Sequence, residues 1–339
     1  MGWVLKLAAV LLAAAPAPHA HADARITVAA SGDFLVHTPV WQRARAYARH
    51  GRHYDFAPMF RKVRRVISGA DLALCHVETP LVHGPPRTYP IFHTPVALAR
   101  AIRQTGWDVC STASNHTLDA GQHGVNETIR ALNRAGVRHT GSYRNKKGST
   151  HTVILQANGV KVAFLAYTAL TNGQHIPHPW TLNMATARKI VHDARRAKKR
   201  GADAVIVNLH WGNEYDSRPS AQQRRLADRL TRHEAITAVV GQHVHVVQPI
   251  RWMHGKPVVF GEGNLISGQS SACCPAATQD GLIALIDLQR THGRTHATRV
   301  RYLPTYVRHP DYTVVHARGR SRRRAINTAG RRPRVIPIR

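Results

Sequence analysis

Five short apolar segments of this chain each end in residues that can bind a metal ion, and this repeated pattern constrains the fold more than any other feature. The donors at these ends are carboxylates, amides and imidazoles, and the segments span residues 28–33, 72–78, 109–116, 205–210 and 239–245. In an open α/β sheet, the carboxyl ends of the strands meet along one edge, where ligands bind. The pattern therefore predicts an α/β fold with a site for a hard or borderline divalent metal.

The order of the predicted elements supports this fold class. Up to about residue 136, apolar strands alternate with helical patterns, as is typical of parallel βαβ units. Residues 151–157 and 161–167 flank Asn158-Gly159, a dipeptide that favours the two-residue turn of an antiparallel hairpin. Most segments after residue 246 have the pattern of β strands. We therefore expect two packed mixed sheets flanked by helices, in one domain that covers residues 23–310.

The first 22 residues are predicted to be a secretory signal peptide. Lys6 precedes an apolar run over residues 7–15, and the small-x-small sequence Ala20-His21-Ala22 indicates cleavage near Ala22. A membrane anchor is disfavoured because the apolar run is far shorter than the ~20 residues that a spanning helix needs. We therefore expect a secreted, extracellular or envelope-associated protein, with no transmembrane segment in its mature chain.

The chain is strongly basic, with 48 Lys and Arg against 18 Asp and Glu and a formal net charge of +30. This charge predicts affinity for polyanions, including nucleic acid, teichoic acid, acidic polysaccharide and polyglutamate. Residues 317–339 hold nine Arg and no acidic residue, so we expect residues 311–339 to form a disordered basic tail. Because residues 317–339 contain no aromatic side chain for base stacking, adhesion to an anionic cell envelope is favoured over specific nucleic-acid binding.

The four cysteines leave the disulfide state open. Export permits disulfides, and Cys75 and Cys110 lie near the ends of two candidate strands, so they form either a bridge or two buried free thiols. Cys273 and Cys274 are adjacent in a loop and are poorly placed to bridge each other. Neither a CxxC motif nor a Cys/His zinc pattern is present, which disfavours a thiolate metal site.

The candidate metal ligands are the polar residues at the segment ends. Asp33 offers a terminal carboxylate after Gly32, and Glu78 offers a carboxylate that can bridge two metals. An amide and three imidazoles follow further along the chain, from Asn115, His210, His243 and His245. An extended backbone would point the last two side chains to opposite faces, but a loop at a strand end can turn both toward one site.

Residues beside these ligands are candidates for catalytic and supporting roles. His116 follows Asn115 directly, and Asp119 stands three residues further on, where it can orient the imidazole ring. Three more residues are additional candidate ligands, namely His37, His76 and Glu214. Because the chain has 24 His, we expect many of the remaining histidines to be incidental surface or loop residues.

Six motifs occur in order along the chain, at residues 32–33, 77–81, 114–121, 210–215, 241–249 and 263–264. The series resembles that of the CapA-type capsule or poly-γ-glutamate synthesis proteins, a family related to the calcineurin-like metallophosphoesterases. The resemblance covers roughly residues 26–267. It implies a four-layer αββα sandwich of two mixed sheets flanked by helices, with a dinuclear metal centre.

The resemblance also implies a role for each matching residue. Asp33 and His245 would hold one metal, Glu78 would bridge, and the other metal would be held by Asn115, His210 and His243. His116 would be the general acid near the leaving group, with Asp119 beside it. The phosphoesterases usually begin Asp-x-His, whereas Phe34-Leu35 follows Asp33 here, so His37 would have to complete that site. His76 stands where the CapA-type motif often has Asn.

Together, these observations predict an exported protein of capsule or poly-γ-glutamate biosynthesis or processing. Two divalent ions (Mn, Fe or Zn) would support hydrolysis of a phosphoester or a related bond, in an anionic polymer or phosphoester substrate. Two alternatives stay open. One is a non-catalytic accessory that binds or assembles the polymer, and the other is a secreted nuclease or nucleotidase.

Overall fold

Strands and helices alternate in the first half of the structure, a computed structural model that describes residues 23–331 and 333–337. The predicted signal peptide, residues 1–22, lies outside the described residues. The strands in chain order are β1 (Ala24–Leu35), β2 (Leu72–Val77), β3 (Leu81–Val82), β4 (Thr94–Pro95), β5 (Val109–Ser111), β6 (Arg138–Thr140), β7 (Val153–Ala157), β8 (Val160–Thr168), β9 (Ala204–His210), β10 (Ala238–Gln242), β11 (Ile250–Met253), β12 (Lys256–Val259), β13 (Asn264–Ser267), β14 (Asp280–Thr291), β15 (Arg294–Arg308), β16 (Thr313–His316) and β17 (Arg334–Val335).

The helices flank the strands, and a short 3₁₀ turn covers Ala276–Gln279. In chain order the helices are α1 (Thr38–Tyr47), α2 (Ala57–Phe60), α3 (Arg64–Ser68), α4 (Ala97–Thr105), α5 (Gly121–Arg134), α6 (Lys146–Ser149), α7 (Ala187–Lys199), α8 (Ala221–Thr231) and α9 (Gly319–Ala329). Across the described part of the chain, none of these helices has the length and apolar character needed to cross a membrane.

Two mixed sheets organise the fold. In the first sheet the order is β16-β15-β14-β1-β2-β5-β6, with β13 paired to β1 and β17 paired to β15. In the second sheet the order is β11-β12-β10-β9-β8-β7. Strands β1, β2, β5 and β6 are parallel neighbours, and so are β8, β9, β10 and β12. The carboxyl ends of parallel strands therefore gather at one edge of each sheet, as predicted.

The layers follow from the side chains of the central strands. Along β9, Ile206 packs into the core between the two sheets, whereas Val205 and Val207 pack against α7 and α8. Because both faces of this strand are buried, its sequence is almost continuously apolar. On the outer side of the first sheet, Phe34 and Trp107 pack with the helices of the first half of the chain. The predicted four-layer αββα architecture is confirmed.

Two local predictions concern the hairpin and the cysteines. Strands β7 and β8 form the predicted antiparallel hairpin, with Asn158 and Gly159 in left-handed backbone at its turn. Cys75 and Cys110 are register partners on β2 and β5, their Cα atoms lie 4.4 Å apart, and they form a disulfide. Cys273 and Cys274 are free.

The prediction of a disordered tail over residues 311–339 is wrong for the described residues. Strands β16 and β17 both pair with β15, and α9 lies between them in the chain. Helix α9 buries Ala325 and Ala329 in the core between the sheets, and Arg324 forms an ion pair with Asp280. These two alanines are four residues apart and form a narrow apolar stripe on one helix face. The high arginine content of the segment hides this stripe in a composition-based prediction.

Candidate metal centre

The five predicted segment ends meet at one place between the two sheets. The first sheet contributes Asp33 at the end of β1, together with His76 and Glu78 at the end of β2. The second sheet contributes His210 at the end of β9, and His243 and His245 just after β10. All six side chains are buried, with at most 4% of their surface exposed. The sequence pattern therefore located these residues correctly as neighbours.

Their ligating atoms form two tight groups. One group is Asp33, His76 and His210, and the other is Glu78, His243 and His245. Within each group, the candidate atoms all lie within 4.8 Å of one another. Each group draws on both sheets. His76, which the sequence offered only as an additional candidate ligand, lies in the first of these groups. His243 and His245 lie together in the second.

The distances within and between the two groups show how closely their members approach one another. Glu78 Oε1 lies 3.9 Å from His210 Nε2 and 3.8 Å from His245 Nε2, so this carboxylate stands between members of both groups. His245 Nδ1 lies 3.3 Å from Asp33 Oδ2. His76 Nε2 lies 3.7 Å from Asp33 Oδ1 and 3.0 Å from His210 Nδ1. This arrangement suits a carboxylate that bridges two ions.

Several buried polar atoms in the centre have no hydrogen-bond partner among the described residues. They are both carboxylate oxygens of Glu78, Nδ1 of His76 and Nδ1 of His243. Buried polar atoms are nearly always hydrogen-bonded in proteins, and leaving one unsatisfied costs about 1–3 kcal/mol. Divalent cations would satisfy oxygen and imidazole donors of this kind. The donor set therefore fits a metal site.

The backbone at the end of β10 turns two imidazoles into the centre. His243 and His245 have φ angles of 91° and 57°, in the left-handed region that residues other than glycine rarely adopt. The backbone N–H of His243 donates to Asp33 Oδ2 at 3.3 Å, which helps to hold this conformation. The predicted loop thus directs both side chains to one side.

Close backbone approach explains the glycine before Asp33. A Cβ atom on Gly32 would lie 1.8 Å from the carbonyl oxygen of Gly263, so no larger residue fits there. The N–H of Asp33 donates to the same carbonyl at 3.0 Å. Gly32 therefore lets β1 approach residue 263 closely enough to fix the backbone of Asp33.

The surroundings set the protonation of the imidazoles. Burial lowers the pKa of His76 to about 4 and of His243 to about 3. Burial, with neighbouring imidazoles, also lowers the pKa of His210 well below its usual value. These three rings are therefore neutral near pH 7, which is the form that binds metal.

His245 differs from the other three rings because it lies close to two carboxylates. Burial lowers its pKa, but Glu78 and Asp33 outweigh that effect and raise it to about 9. Burial in turn raises the pKa of Glu78 well above its usual range, against the opposing effect of His245. Without a metal, the His245 imidazole therefore carries a proton at neutral pH.

His116 and Asp119 lie beside the two groups. Nδ1 of His116 is 2.8 Å from Asp119 Oδ2, and the ring of Phe92 packs edge-on against the imidazole at 4.7 Å between centroids. Asp119 also accepts hydrogen bonds from the N–H of Phe92 and from Gln174 Nε2, each at 2.7 Å. The carboxylate is thus fixed on both oxygens, and it orients the imidazole as predicted.

Asn115 contacts the centre through its amide oxygen. Its Oδ1 lies 2.8 Å from His210 Nε2, and its Nδ2 donates to Asn172 Oδ1 at 3.1 Å. The loop that follows β8 therefore supports Asn115 through Asn172 and Asp119 through Gln174. No role for Asn172 or Gln174 was predicted, because residues 161–167 were interpreted only as a strand of the hairpin. Since β8 also pairs in parallel with β9, its carboxyl end lies at the same sheet edge.

Asn264 is another residue for which the sequence predicted no role. Its Oδ1 lies 3.1 Å from His245 Nδ1, and its Nδ2 donates to Gln269 Oε1 and to the carbonyl of Thr278. These donations fix the amide so that its oxygen faces the imidazole. Asn264 therefore orients His245 from behind, as residues behind a ligating histidine commonly do. Its position in the motif at residues 263–264 was the available signal.

Two of the additional candidate ligands stand outside both groups. The ring nitrogen Nδ1 of His37 accepts a hydrogen bond from the N–H of Gly268 at 3.2 Å, and its ring packs against Phe92. Burial lowers the pKa of His37 to about 4. Glu214 is exposed on the loop after β9. Neither residue belongs to the described close groups of ligating atoms.

Comparison with protein families identifies relatives of this chain. The family model described as bacterial capsule synthesis protein PGA_cap matches residues 27–269. Capsule biosynthesis protein CapA of Bacillus anthracis is 29% identical over 278 residues, which cover 79% of this chain and 64% of that protein. PGA biosynthesis protein CapA of Bacillus subtilis strain 168 is 30% identical over 176 residues, which cover 50% and 45% of the two chains. The chain thus spans less than two thirds of the length of either relative.

Solved structures show a similar fold at low sequence identity. The calcineurin-like phosphoesterase YfkN from Bacillus subtilis matches with a TM-score of 0.55 and 13% identity, covering 90% of this chain and 96% of that one. A phosphatase from Mycoplasma pneumoniae matches with a TM-score of 0.51 and 12% identity, covering 85% and 96%. These likenesses establish the metallophosphoesterase fold, and the resemblance that the six motifs suggested is confirmed.

Proposed function

Because the chain belongs to the bacterial capsule synthesis protein PGA_cap family, we propose that it acts in the biosynthesis or processing of an anionic capsule polymer such as poly-γ-glutamate. We further propose that the candidate metal centre holds two divalent ions, Mn, Fe or Zn, and supports hydrolysis of a phosphoester or a related bond. The predicted signal peptide supports export of the mature protein. The net charge of +30 supports attraction of an anionic polymer or envelope.

One observation carries the metal proposal, namely the unpartnered polar atoms in the two buried groups. Both oxygens of Glu78 lack hydrogen bonds although the side chain is 1% exposed, and Nδ1 of His243 is also buried without a partner. If these residues only packed together and bound no metal, no interaction would offset the free-energy cost of burying their polar atoms. Asp33, His76 and His210 would hold one ion, and Glu78, His243 and His245 the other, with Asn115 beside His210.

Divalent ions at this centre would supply an activated water and would neutralise charge that develops on the scissile group. The chain's own residues would complete the chemistry. Nδ1 of His116 faces Asp119, which leaves Nε2 as the ring nitrogen available to carry a proton to the leaving group. Asp119 would hold the ring at a fixed angle while this proton moves. Phe92, packed against the same imidazole, would limit the access of water to it.

A second candidate is a non-catalytic accessory role in polymer synthesis. A relative from Mycobacterium tuberculosis, described as a probable polyglutamine synthesis accessory protein, is 25% identical over 170 residues that cover 47% of this chain and 44% of that protein. In this role, the metal centre would be structural and the protein would bind or assemble the polymer. The two candidates differ in whether a metal-loaded protein turns over a substrate.

The first experiment is elemental analysis of the purified protein, prepared without chelator, together with His210→Ala and His243→Ala variants. His175→Ala is a matched control, since His175 is exposed. We expect about two metal equivalents in the wild type and in the control, and fewer in the two variants. Near-zero metal that added Mn, Fe or Zn does not restore would refute the metal proposal.

The same preparations are then screened for hydrolysis of chromogenic phosphoesters and of γ-glutamyl polymers. Turnover that is lost on chelation and in His116→Ala would support the hydrolase. Bound metal with no turnover of either substrate class would favour the accessory role.

A further inference from the structure

A cavity of about 850 Å³ lies outside the candidate metal centre, where β15, β16, α9 and the 3₁₀ turn Ala276–Gln279 meet. Five cationic side chains line it, and no residue of its lining is Asp or Glu; the cations are Lys62, Arg308, Arg318, Arg320 and Arg324. Apart from Lys62, every lining residue lies beyond residue 269, where the match to the family ends. The cavity is therefore a feature of this chain's C-terminal segment.

The positive charges of the cavity are only partly balanced. Arg308 forms an ion pair with Asp311, and Arg324 forms one with Asp280. Lys62, Arg318 and Arg320 are exposed, and the described residues provide no carboxylate within ion-pair distance of them. Clefts lined by one sign of charge concentrate ligands of the opposite sign. The cavity is therefore suited to an anion with several charges.

We propose that this cavity binds a segment of a polycarboxylate chain. Arginine recognises carboxylates through paired N–H donors, and Arg308 and Arg324 already bind carboxylates of this chain in the cavity wall. The described lining holds two rings, those of Tyr306 and His316, and no Phe or Trp, so the cavity offers no longer series of rings on which successive bases could stack. A carboxylate polymer therefore fits this lining better than a nucleic acid.

A short bridge of hydrogen bonds connects the cavity with the metal centre. Ala276 and Gln279 line the cavity, and the carbonyl of Thr278, between them in the same turn, accepts a hydrogen bond from Asn264 Nδ2 at 2.9 Å. Asn264 Oδ1 lies 3.1 Å from His245 Nδ1. A polymer held in the cavity would thus rest on the turn that supports a candidate metal ligand. That the polymer is a substrate rests on the proposed function. That it binds in this cavity does not depend on that proposal.

The test measures the anisotropy of fluorescein-labelled poly-γ-glutamate with purified full-length protein at several salt concentrations. The variants are the double substitution Arg318→Glu/Arg320→Glu and the single substitution Lys62→Glu, which changes the lining cation that precedes residue 269. The matched control is Arg225→Glu/Arg229→Glu, which makes the same change in net charge on exposed residues of α8, a helix that covers the other sheet. Thermal melts establish that each variant is folded.

We expect the double variant to weaken binding at least about tenfold, Lys62→Glu to weaken it by a smaller factor, and the control to change it less than about twofold. Equal weakening in the cavity variants and in the control would overturn the proposal, because it would show a general charge effect. Unlabelled polyphosphate or single-stranded DNA that competes better than poly-γ-glutamate would overturn the choice of a carboxylate ligand.

A further measurement separates this inference from the proposed function. Binding is repeated with the His210→Ala protein, stripped of metal. Unchanged affinity is expected, because the cavity contains none of the candidate metal ligands. If the hydrolase proposal fails, the effect of the Arg318→Glu/Arg320→Glu substitution on binding would still be observed. Loss of binding in the His210→Ala protein would place the polymer at the metal centre and overturn the cavity assignment.

Discussion

Gln174 donates a hydrogen bond from Nε2 to Asp119 Oδ1 at 2.7 Å, and through Asp119 it is connected to the imidazole of His116. Gln174 lies on the loop after β8, in the second sheet, whereas His116 follows β5, in the first sheet. A residue of one sheet thus fixes the orientation of the candidate general acid on the other.

Replacing Gln174 with Leu should slow hydrolysis without removing metal. The substitution removes the donor to Asp119, which leaves the carboxylate and the His116 ring less well oriented. Residues that orient catalytic or ligating groups in this way typically contribute about 10–100-fold to rate or affinity. We expect a fall in kcat of about tenfold with metal content unchanged, measured by steady-state kinetics and elemental analysis. The neighbouring exposed residue His175, changed to Ala, is the control, and an equal loss of rate there would contradict the assignment.

Replacing His76 tests whether it is a ligand. Its Nε2 lies 3.0 Å from His210 Nδ1 and 3.7 Å from Asp33 Oδ1. We expect His76→Ala to reduce the metal content from about two equivalents to about one. His76→Asn, which keeps an amide donor at the position, should retain more metal than His76→Ala. His83→Ala, which changes an exposed histidine paired with Glu127, should have no effect. Full metal content in His76→Ala would show that the ring only fills space.

Metal binding should release protons at neutral pH. In the metal-free protein, the carboxylates beside His245 raise its pKa to about 9, so the ring is protonated at pH 7. A ligating imidazole must be neutral, and the affinity should therefore rise roughly tenfold per pH unit until about pH 9. Titration calorimetry with Mn²⁺ or Zn²⁺ in two buffers of different ionisation enthalpy measures the release. Identical apparent enthalpies in both buffers at pH 7 would contradict the prediction.

His139, far along the first sheet on β6, should make the protein sensitive to acid. Burial, with Arg138 and other cations nearby, lowers its folded-state pKa to about 4, whereas an unfolded chain has a value near 6.5. Between these values the unfolded state binds more protons, so stability is present above about pH 6.5 and is lost as the pH falls toward 4. We expect His139→Leu to recover about 2 kcal/mol of the free energy of unfolding lost between pH 7 and 4.5. Urea unfolding of both proteins at the two pH values measures this difference, and parallel losses would refute it.

The segment ends were predictable because a short stretch of sequence shows both the strand and the ligand that follows it. Asp33, His210 and their counterparts directly follow apolar runs, and parallel pairing then brings the ends together without further information. The left-handed backbone at His243 and His245 is different. Their backbone conformation depends on the folded loop after β10. The sequence could therefore predict that the two side chains point to one site, but not which other ligands lie beside each of them.

The features that were missed depend on contacts between distant parts of the chain. Asn172 and Gln174 become important only because β8 pairs in parallel with β9, and an Asn-Gly hairpin gives no sign of that second pairing. The order in helix α9 depends on the core that receives Ala325 and Ala329, and on the carboxylate of Asp280 for Arg324. The composition of this segment gives its charge, but it does not show that the rest of the protein provides an apolar surface against which the segment can pack.

Each group of candidate ligands draws side chains from both sheets, as with His76 and His210 in one group and Glu78 and His243 in the other. An ion bound there would cross-link the two sheets, in addition to the apolar core that already holds them together. Opening the sheets and losing the ion would then be a single event. Substitutions deep in the core, such as at Leu74 or Ile206, would lower the affinity for the ion although these side chains do not contact it. A bound ion would in turn slow the separation of the two sheets.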